Sequence, residues 1–196
     1  SEKWKYTSIN QFDSYDFNFK PIDKKINISC KKNQILLYNG KFYKAGENLI
    51  NEKVLVYNIN DAIKNNHNAI KKSLNIQSTT NEENQFKLKN ISWDIGFFLY
   101  VPNHFTNTIL ITNIIDQGKQ KNFLNSRNFI HIEKKSNCKI IYKEESNQSS
   151  CINNISEIYI EDNAKLEFAN ITNKTNNSKQ IYHCTASLNT NAQLIY

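Results

Sequence analysis

Apolar and polar residues alternate through most of the second half of the chain. Residues 156–172 are typical, since they alternate, pause at Asp162, Asn163 and Ala164, and then alternate again. Because side chains two positions apart on a strand share a face, this pattern predicts two short strands joined by a corner. From Phe86 onward, similar apolar runs are separated by turns rich in Asn, Ser and Lys, and nothing in the pattern indicates a helix.

The two-strand unit recurs with a period in the twenties. Asn137, Asn163 and Asn191 occupy equivalent places, at spacings of 26 and 28 residues. An antiparallel sandwich would also alternate, but only stacked coils have a reason to keep the same order of residue sizes. The repeat therefore predicts a mainly β protein that contains a parallel β-helix. The small, aliphatic and aromatic residues that follow each Asn are Cys138, Ile140 and Tyr142; Ala164, Leu166 and Phe168; and Ala192, Leu194 and Tyr196.

The Asn at each corner fits a bend in the left-handed region of backbone conformation, which Asn tolerates better than most residues do. Its side-chain amide could then bond to the Asn of the next coil. The alternating pattern is still running at Tyr196. We therefore expect the β-helix to be incomplete at its C-terminal end and covered there by further chain or by another subunit.

The first part of the chain mixes element types. Residues 35–38 and 41–43 flank Asn39 and Gly40, a turn that tolerates positive φ, so a hairpin is predicted near 35–43. Residues 77–85 are polar and aperiodic, which is typical of a linker. The predicted organisation is a small N-terminal α/β region over 1–85, followed by the parallel β-helix over 86–196.

A helix is predicted near 61–74. Ile59, Ile63, Ile70 and Leu74 share one helical face, and Asn60 or Asp61 is available as a cap. His67 falls on the polar side of this helix, where a solvated histidine is expected rather than a catalytic one.

The net charge of +7 invites a nucleic-acid interpretation, which the composition does not favour. The chain has 24 Lys but a single Arg, Arg127, whereas proteins that recognise bases and phosphates rely on arginine forks. No run approaches the roughly 18 apolar residues of a membrane span, and the polar start lacks the apolar segment of a secretory signal. We therefore expect neither a nucleic-acid partner nor a membrane.

Four cysteines, without Cys-x-x-Cys pairs, indicate a reducing compartment rather than a disulfide scaffold. Cys138 aligns with Ala164 in the repeat, so it is predicted to be a small core residue. His183 and Cys184 are adjacent on a strand and point to opposite faces, so they cannot bind one metal together. We expect Cys184 to face inward and His183 outward, and His131, between two isoleucines, also outward.

Acidic residues give no convincing active site. Glu144 is interpreted as one of a pair of turn charges with Glu145. Glu157, Tyr159 and Glu161 share the outward face of one strand, as the acids of β-helical polysaccharide enzymes do. A solvated face is the simpler interpretation, although a polysaccharide-acting enzyme or carbohydrate-binding module remains the alternative. No catalytic, cofactor-binding or metal-binding residue is predicted.

Five stretches of the chain resemble the SufD family, the scaffold subunits of the Suf iron–sulfur cluster assembly system. They follow the order that the family has, across nearly the whole chain, although Asn103, Thr108 and Ser126 depart from its usual residues. The stretches are "EKWKYTSI" (2–9), "ILLYNGKFYKAGENL" (35–49), "GFFLYVPNHFTNTILI" (96–111), "SRNFIHIEKKSNCKIIYKEE" (126–145) and "CINNISEIYIEDNAKLEFANI" (151–171).

The resemblance implies a right-handed parallel β-helix in a non-catalytic scaffold subunit of the SufBCD complex. It implies SufB and the ATPase SufC as partners, and a cytosolic or plastid location. The iron–sulfur cluster would be handled by the complex rather than bound by this segment. The family's functional residues lie beyond Tyr196, so the resemblance assigns no site residue to this chain.

Overall fold

The computed structural model describes residues 27–65, 68–70, 95–116, 123–146, 149–173 and 178–196. Strands dominate these residues, and two short helices lie among the first of them. The strands are β1 (Gln34–Tyr38), β2 (Lys41–Ala45), β3 (Leu55–Asn58), β4 (Phe97–Val101), β5 (Thr108–Ile114), β6 (Phe123–Ile132), β7 (Asn137–Glu145), β8 (Cys151–Ile160), β9 (Lys165–Asn173), β10 (Lys179–Leu188) and β11 (Gln193–Ile195). The helices are α1 (Glu47–Asn51) and α2 (Ile59–Lys64).

The strands form two facing sheets, and the chain alternates between them. One sheet has the order β11-β9-β7-β5-β1-β2, and the other has the order β10-β8-β6-β4-β3. From β4 onward, neighbouring strands within each sheet are parallel. Each coil thus gives one strand to each sheet, which confirms the predicted parallel β-helix. We refer to the β6–β7, β8–β9 and β10–β11 coils below.

The register of the coils corrects one part of the predicted repeat. Asn137 pairs with Lys165, so the β7 coil lies two residues out of the predicted alignment with Asn163. Cys138 therefore stacks on Leu166 rather than beside Ala164. The last two coils agree with the prediction, since Leu194 pairs with Leu166.

Backbone conformation explains the shift. The left-handed corners are His104 (φ 59°), Lys135 (φ 59°), Asn163 (φ 56°) and Asn191 (φ 55°). Lys135, and not Asn137, is thus the corner that precedes β7. Successive corners share a left-handed backbone conformation rather than a residue type. An exposed corner can therefore hold a lysine, at some cost in strain. The predicted amide ladder is confirmed where two corners carry Asn, since Asn191 Nδ2 donates to Asn163 Oδ1 over 3.2 Å.

The hairpin lies where the sequence predicts it. β1 and β2 pair antiparallel, and Asn39 (φ 49°) and Gly40 (φ 79°) both have positive φ, as a tight two-residue turn requires. β1 also pairs parallel with β5, so the hairpin extends the sheet to which β5 belongs. β3, which the sequence pattern does not predict, pairs antiparallel with β4 and extends the other sheet. The division into regions at residue 85 stays a prediction.

The helix begins earlier than predicted. α2 starts at Ile59, and its N-cap is Asn58 rather than Asn60 or Asp61. Asn58 makes no capping bond, because its side-chain oxygen accepts from the backbone N–H of Phe42 over 2.6 Å. Residues 68–70 are also helical, with Ile70 buried, whereas Ile63 is 39% exposed. His67 and Leu74 lie outside the described residues.

The space between the two sheets holds a continuous apolar core near the left-handed corners. Its members include Phe97, Leu99, Ile130, Ile132, Cys138, Ile140, Ile158, Ile160, Leu166 and Phe168. Within the described part of the chain, no helix is long and apolar enough to span a membrane. Further along the same strands, the inward positions become polar.

Candidate functional site

The polar part of the interior centres on Glu144. Inward positions of β7 alternate as Cys138, Ile140, Tyr142 and Glu144, and the Glu144 side chain is 0% exposed. The interpretation of Glu144 as a turn charge is therefore wrong. β7 runs on to Glu145, so the alternation carries Glu144 into the interior while its neighbour stays outside, paired with Lys143.

Both carboxylate oxygens of Glu144 accept hydrogen bonds. Oε1 accepts from Asn154 Nδ2 at 3.2 Å and from the Tyr142 hydroxyl at 3.5 Å, and Oε2 accepts from Gln180 Nε2 at 2.5 Å. Asn154 belongs to β8 and Gln180 to β10. One side chain of the β6–β7 coil thus contacts each of the next two coils.

The donors that meet Glu144 are themselves oriented by further bonds. The Tyr142 hydroxyl accepts from Asn113 Nδ2 and from Asn154 Nδ2, both at 3.1 Å, so its own proton is directed at the carboxylate. Asn154 Oδ1 accepts from Asn128 Nδ2 over 2.7 Å. Burial, followed by the negative charge of Glu144, raises the pKa of Tyr142 well above its usual range, which keeps the phenol protonated and able to donate.

The same network ties the interior to the N-terminal strands. Asn113 Oδ1 accepts from the backbone N–H of Gly40 over 3.0 Å, at the turn of the first hairpin. Asn128 Oδ1 accepts from the backbone N–H of Phe97 and from the Ser126 hydroxyl. We call Asn113, Asn128, Tyr142, Glu144, Asn154 and Gln180 the interior polar network.

A second buried charge lies on the opposite face of the five-stranded sheet. Arg127 Nε is 3.0 Å from Glu157 Oε1, and the Arg127 guanidinium lies over the ring of Phe129, 5.1 Å from its centroid. Glu157 is only 2% exposed, so the predicted solvated acid is wrong. This face is buried because Phe129 packs with Phe98 and with residues of α2.

His131 faces outward, as predicted, but it is buried, with only 1% of its surface exposed. Its ring stacks on Tyr100 at 5.7 Å and lies 5.1 Å from Tyr159, one coil further on. Its Nε2 is 3.3 Å from Glu161 Oε1. Glu157 is thus paired with Arg127, and Glu161 lies against His131. These two acids are the ones that a polysaccharide-acting enzyme would need on this strand.

The thiols are structural in character. All four cysteines lie in the described part of the chain, and none forms a disulfide. Cys138 is a buried core residue, as predicted, and burial raises its pKa to about 12. Cys184 packs against the interior core, which agrees with its predicted inward orientation, and burial raises its pKa too. Among the described residues, no group of three or more His, Cys, Asp or Glu could hold a metal ion.

Sequence reasoning missed the interior polar network. A signal was present, because Glu144 follows Tyr142 at the two-residue step of the inward face, and Asn128 and Asn154 lie 26 residues apart in successive coils. The alternation shows which residues share a face, but it does not show that the interior space has changed from apolar to polar.

These features define a class of protein: a parallel β-solenoid whose buried polar groups are engaged in holding its coils together. Residues 113–196 match the family model described as "SUF system FeS cluster assembly, SufBD core domain". This match supports a SufB/SufD-family protein and a role in iron–sulfur cluster assembly. Neither the curated proteins nor the solved structures gave a match to this chain.

Proposed function

We propose that this protein is a SufD-type scaffold subunit, which pairs with a SufB-type subunit and is coupled to the ATPase SufC. The SufBD core domain match on a parallel β-solenoid carries the proposal. Further support comes from outside the matched residues, where the stretches 2–9, 35–49 and 96–111 resemble the SufD family in the family's own order.

The proposed subunit is not an enzyme and binds no cluster of its own within this segment. Iron–sulfur clusters are held by several cysteine thiolates that converge on one site. Among the described residues, which include all four cysteines, no group of three or more His, Cys, Asp or Glu converges in this way. The cluster is therefore treated as the cargo of the whole complex, in a reducing compartment such as the cytosol or a plastid.

Genetic complementation tests the assignment to SufD rather than SufB. The full reading frame is expressed in two bacterial strains, one lacking SufD and one lacking SufB, each grown under iron limitation. We expect growth to be restored in the strain that lacks SufD only. Restoration only in the strain that lacks SufB would replace the proposal with a SufB-type role.

Co-purification tests the partners directly. The full reading frame, with an affinity tag, is co-expressed with SufB and SufC from the same source, and the eluted proteins are identified by mass spectrometry. All three chains are expected in one complex by size-exclusion chromatography. A tagged chain that folds, as shown by circular dichroism, but retains neither partner would contradict the scaffold role.

A further inference from the structure

Asn39 is the one asparagine of this chain that is followed by glycine, although the chain has 33 asparagines. Spontaneous deamidation is chemically easiest at an Asn–Gly pair, because glycine has no side chain to shield its backbone nitrogen from the preceding side-chain amide. This pair forms the turn between β1 and β2, where both residues have positive φ. The turn of the first hairpin therefore carries the asparagine that the sequence leaves most open to this reaction.

Deamidation at this pair uses the backbone nitrogen of Gly40 as the nucleophile. The nitrogen gives its proton to hydroxide or water and forms a bond to Asn39 Cγ, while the bond from Cγ to Nδ2 breaks and ammonia leaves with a proton from the solvent. The product of this step is a five-membered succinimide ring. Water then adds to one of the two ring carbonyl carbons and breaks its bond to the Gly40 nitrogen. Overall, one water is consumed, one ammonia is released, and aspartate or isoaspartate takes the place of Asn39.

Hydrogen bonds hold both reacting groups in the folded protein. The Gly40 N–H donates to Asn113 Oδ1 over 3.0 Å. The side chain of Asn39 is held by the backbone of Asp116, since its Nδ2 donates to the Asp116 carbonyl over 2.9 Å and its Oδ1 accepts from the Asp116 N–H over 2.8 Å. Asn39 is also only 2% exposed. Closure of the succinimide ring therefore requires that the nucleophile leaves its acceptor and that the side-chain amide leaves Asp116.

Asn113 cannot release Gly40 by turning its own amide over. Its Nδ2 donates to the Tyr142 hydroxyl over 3.1 Å, and its side chain is 0% exposed. A turned amide would place Nδ2 against the Gly40 N–H, a donor against a donor. The turn is also fastened to the end of β5, because the Asn39 N–H donates to the Ile114 carbonyl over 2.9 Å. Gly40 is therefore released only when the whole turn separates from β5.

We propose that Asn39 is a latent modification site, which the folded hairpin protects through Asn113 and which deamidates when the turn separates from β5. The change is permanent, because neither product fits the closed turn. In the aspartate product an oxygen replaces Nδ2 and meets the Asp116 carbonyl, an acceptor against an acceptor. Isoaspartate instead adds a carbon atom to the backbone of a two-residue turn. An opening of the first hairpin that leads to reaction is thus recorded in the covalent structure.

Peptide mass spectrometry of the full chain, incubated at pH 8, tests the protection without any substitution. Asn39 should deamidate at least about 100-fold more slowly in the folded chain than in a synthetic peptide of residues 35–43, because the reaction requires local opening. Hydrogen exchange of the Gly40 amide, followed by NMR, measures the same opening. Deamidation should be slowed at least as much as this amide is protected. A smaller slowing would show that Asn39 reacts while Gly40 is still bound to Asn113, and it would overturn the proposal.

N113L tests the role of Asn113, because leucine has a similar size but no oxygen for the Gly40 N–H. Asn39 should deamidate about 10-fold to 100-fold faster in this variant than in the wild type, as expected when a buried hydrogen bond to the turn is lost. The control is I158V, which lowers overall stability from β8, in the sheet that does not contain the hairpin, and should leave the rate unchanged. Equal acceleration in both variants would overturn the role of Asn113. The comparison of chain and peptide decides the proposal even if N113L does not fold.

Discussion

Arg127 and Glu157 form an ion pair across two successive coils, with 3.0 Å between Arg127 Nε and Glu157 Oε1, and both side chains are buried. The single arginine of a lysine-rich chain is thus used inside the protein. A planar guanidinium suits this place, because it can pair with the carboxylate and also lie over the ring of Phe129.

Removing one partner of this pair should strongly destabilise the protein. We expect R127M to lower the free energy of unfolding by about 3–5 kcal/mol, because the Glu157 charge stays buried without its arginine. The double variant R127M/E157L removes both charges and should recover most of that loss. Urea unfolding followed by circular dichroism measures both values. A double variant no more stable than R127M would contradict the buried-pair explanation.

The Tyr142 hydroxyl should be essential to the interior polar network. Y142F removes a group that accepts from Asn113 and Asn154, and it leaves two buried amides without that acceptor. We expect a loss of about 1–3 kcal/mol in the free energy of unfolding. Y159F, at a half-buried position on the outer face, is the control and should change stability by less than about 0.5 kcal/mol. Equal effects of the two substitutions would argue against the network.

The corner before β7 can be tested by placing glycine at two nearby positions. Lys135 has φ 59°, so K135G relieves strain and should raise stability by about 0.5–1 kcal/mol. Asn137 is the first residue of β7, so N137G should lower stability by a similar amount. Thermal unfolding of the two variants gives the comparison. If N137G were instead the more stable of the two variants, Asn137 rather than Lys135 would be the corner, as its 26-residue alignment with Asn163 predicts.

Cys138 should be inert in the folded protein. Burial raises its pKa to about 12, so at pH 8 only about one thiol in 10⁴ is ionised, and the side chain is also inaccessible. Treatment with iodoacetamide at pH 8, followed by peptide mass spectrometry, should leave Cys138 unmodified. The same reaction in urea should modify it fully. Rapid alkylation under native conditions would show that the reagent reaches Cys138 in the folded protein, which would contradict its burial.

Tyr38 should make the protein sensitive to alkaline pH. Burial, followed by its bond to Asp116, raises the pKa of Tyr38 to about 12, compared with about 10 in an unfolded chain. The folded state therefore retains a proton that the unfolded state loses, and stability falls as the pH rises from about 10 to 12. Y38F should show a shallower fall in urea unfolding between pH 9 and pH 11.5. An unchanged slope would contradict a contribution from Tyr38.

The sequence by itself determined the local features of this protein. Alternation revealed the strands and identified the members of each inner face, including Leu166 and Leu194. Asn39 and Gly40 defined the first hairpin, and Asn163 and Asn191 marked two of the corners. These features depend on the backbone preferences of individual residues and on a two-residue period. Both can be identified from the sequence alone.

Only the tertiary structure decided register and burial. Hydrogen bonds between coils place Lys135 beside the neighbouring corners. The residue type gives no sign of this position, because lysine is not typical of a left-handed corner. Whether an outward residue such as Glu157 or His131 meets solvent depends on which distant elements cover the sheet. Glu144 faces inward by its place in the alternation, but its burial as a charge depends on donors from β8 and β10. Such pairings join residues far apart in the chain, so no local pattern contains them.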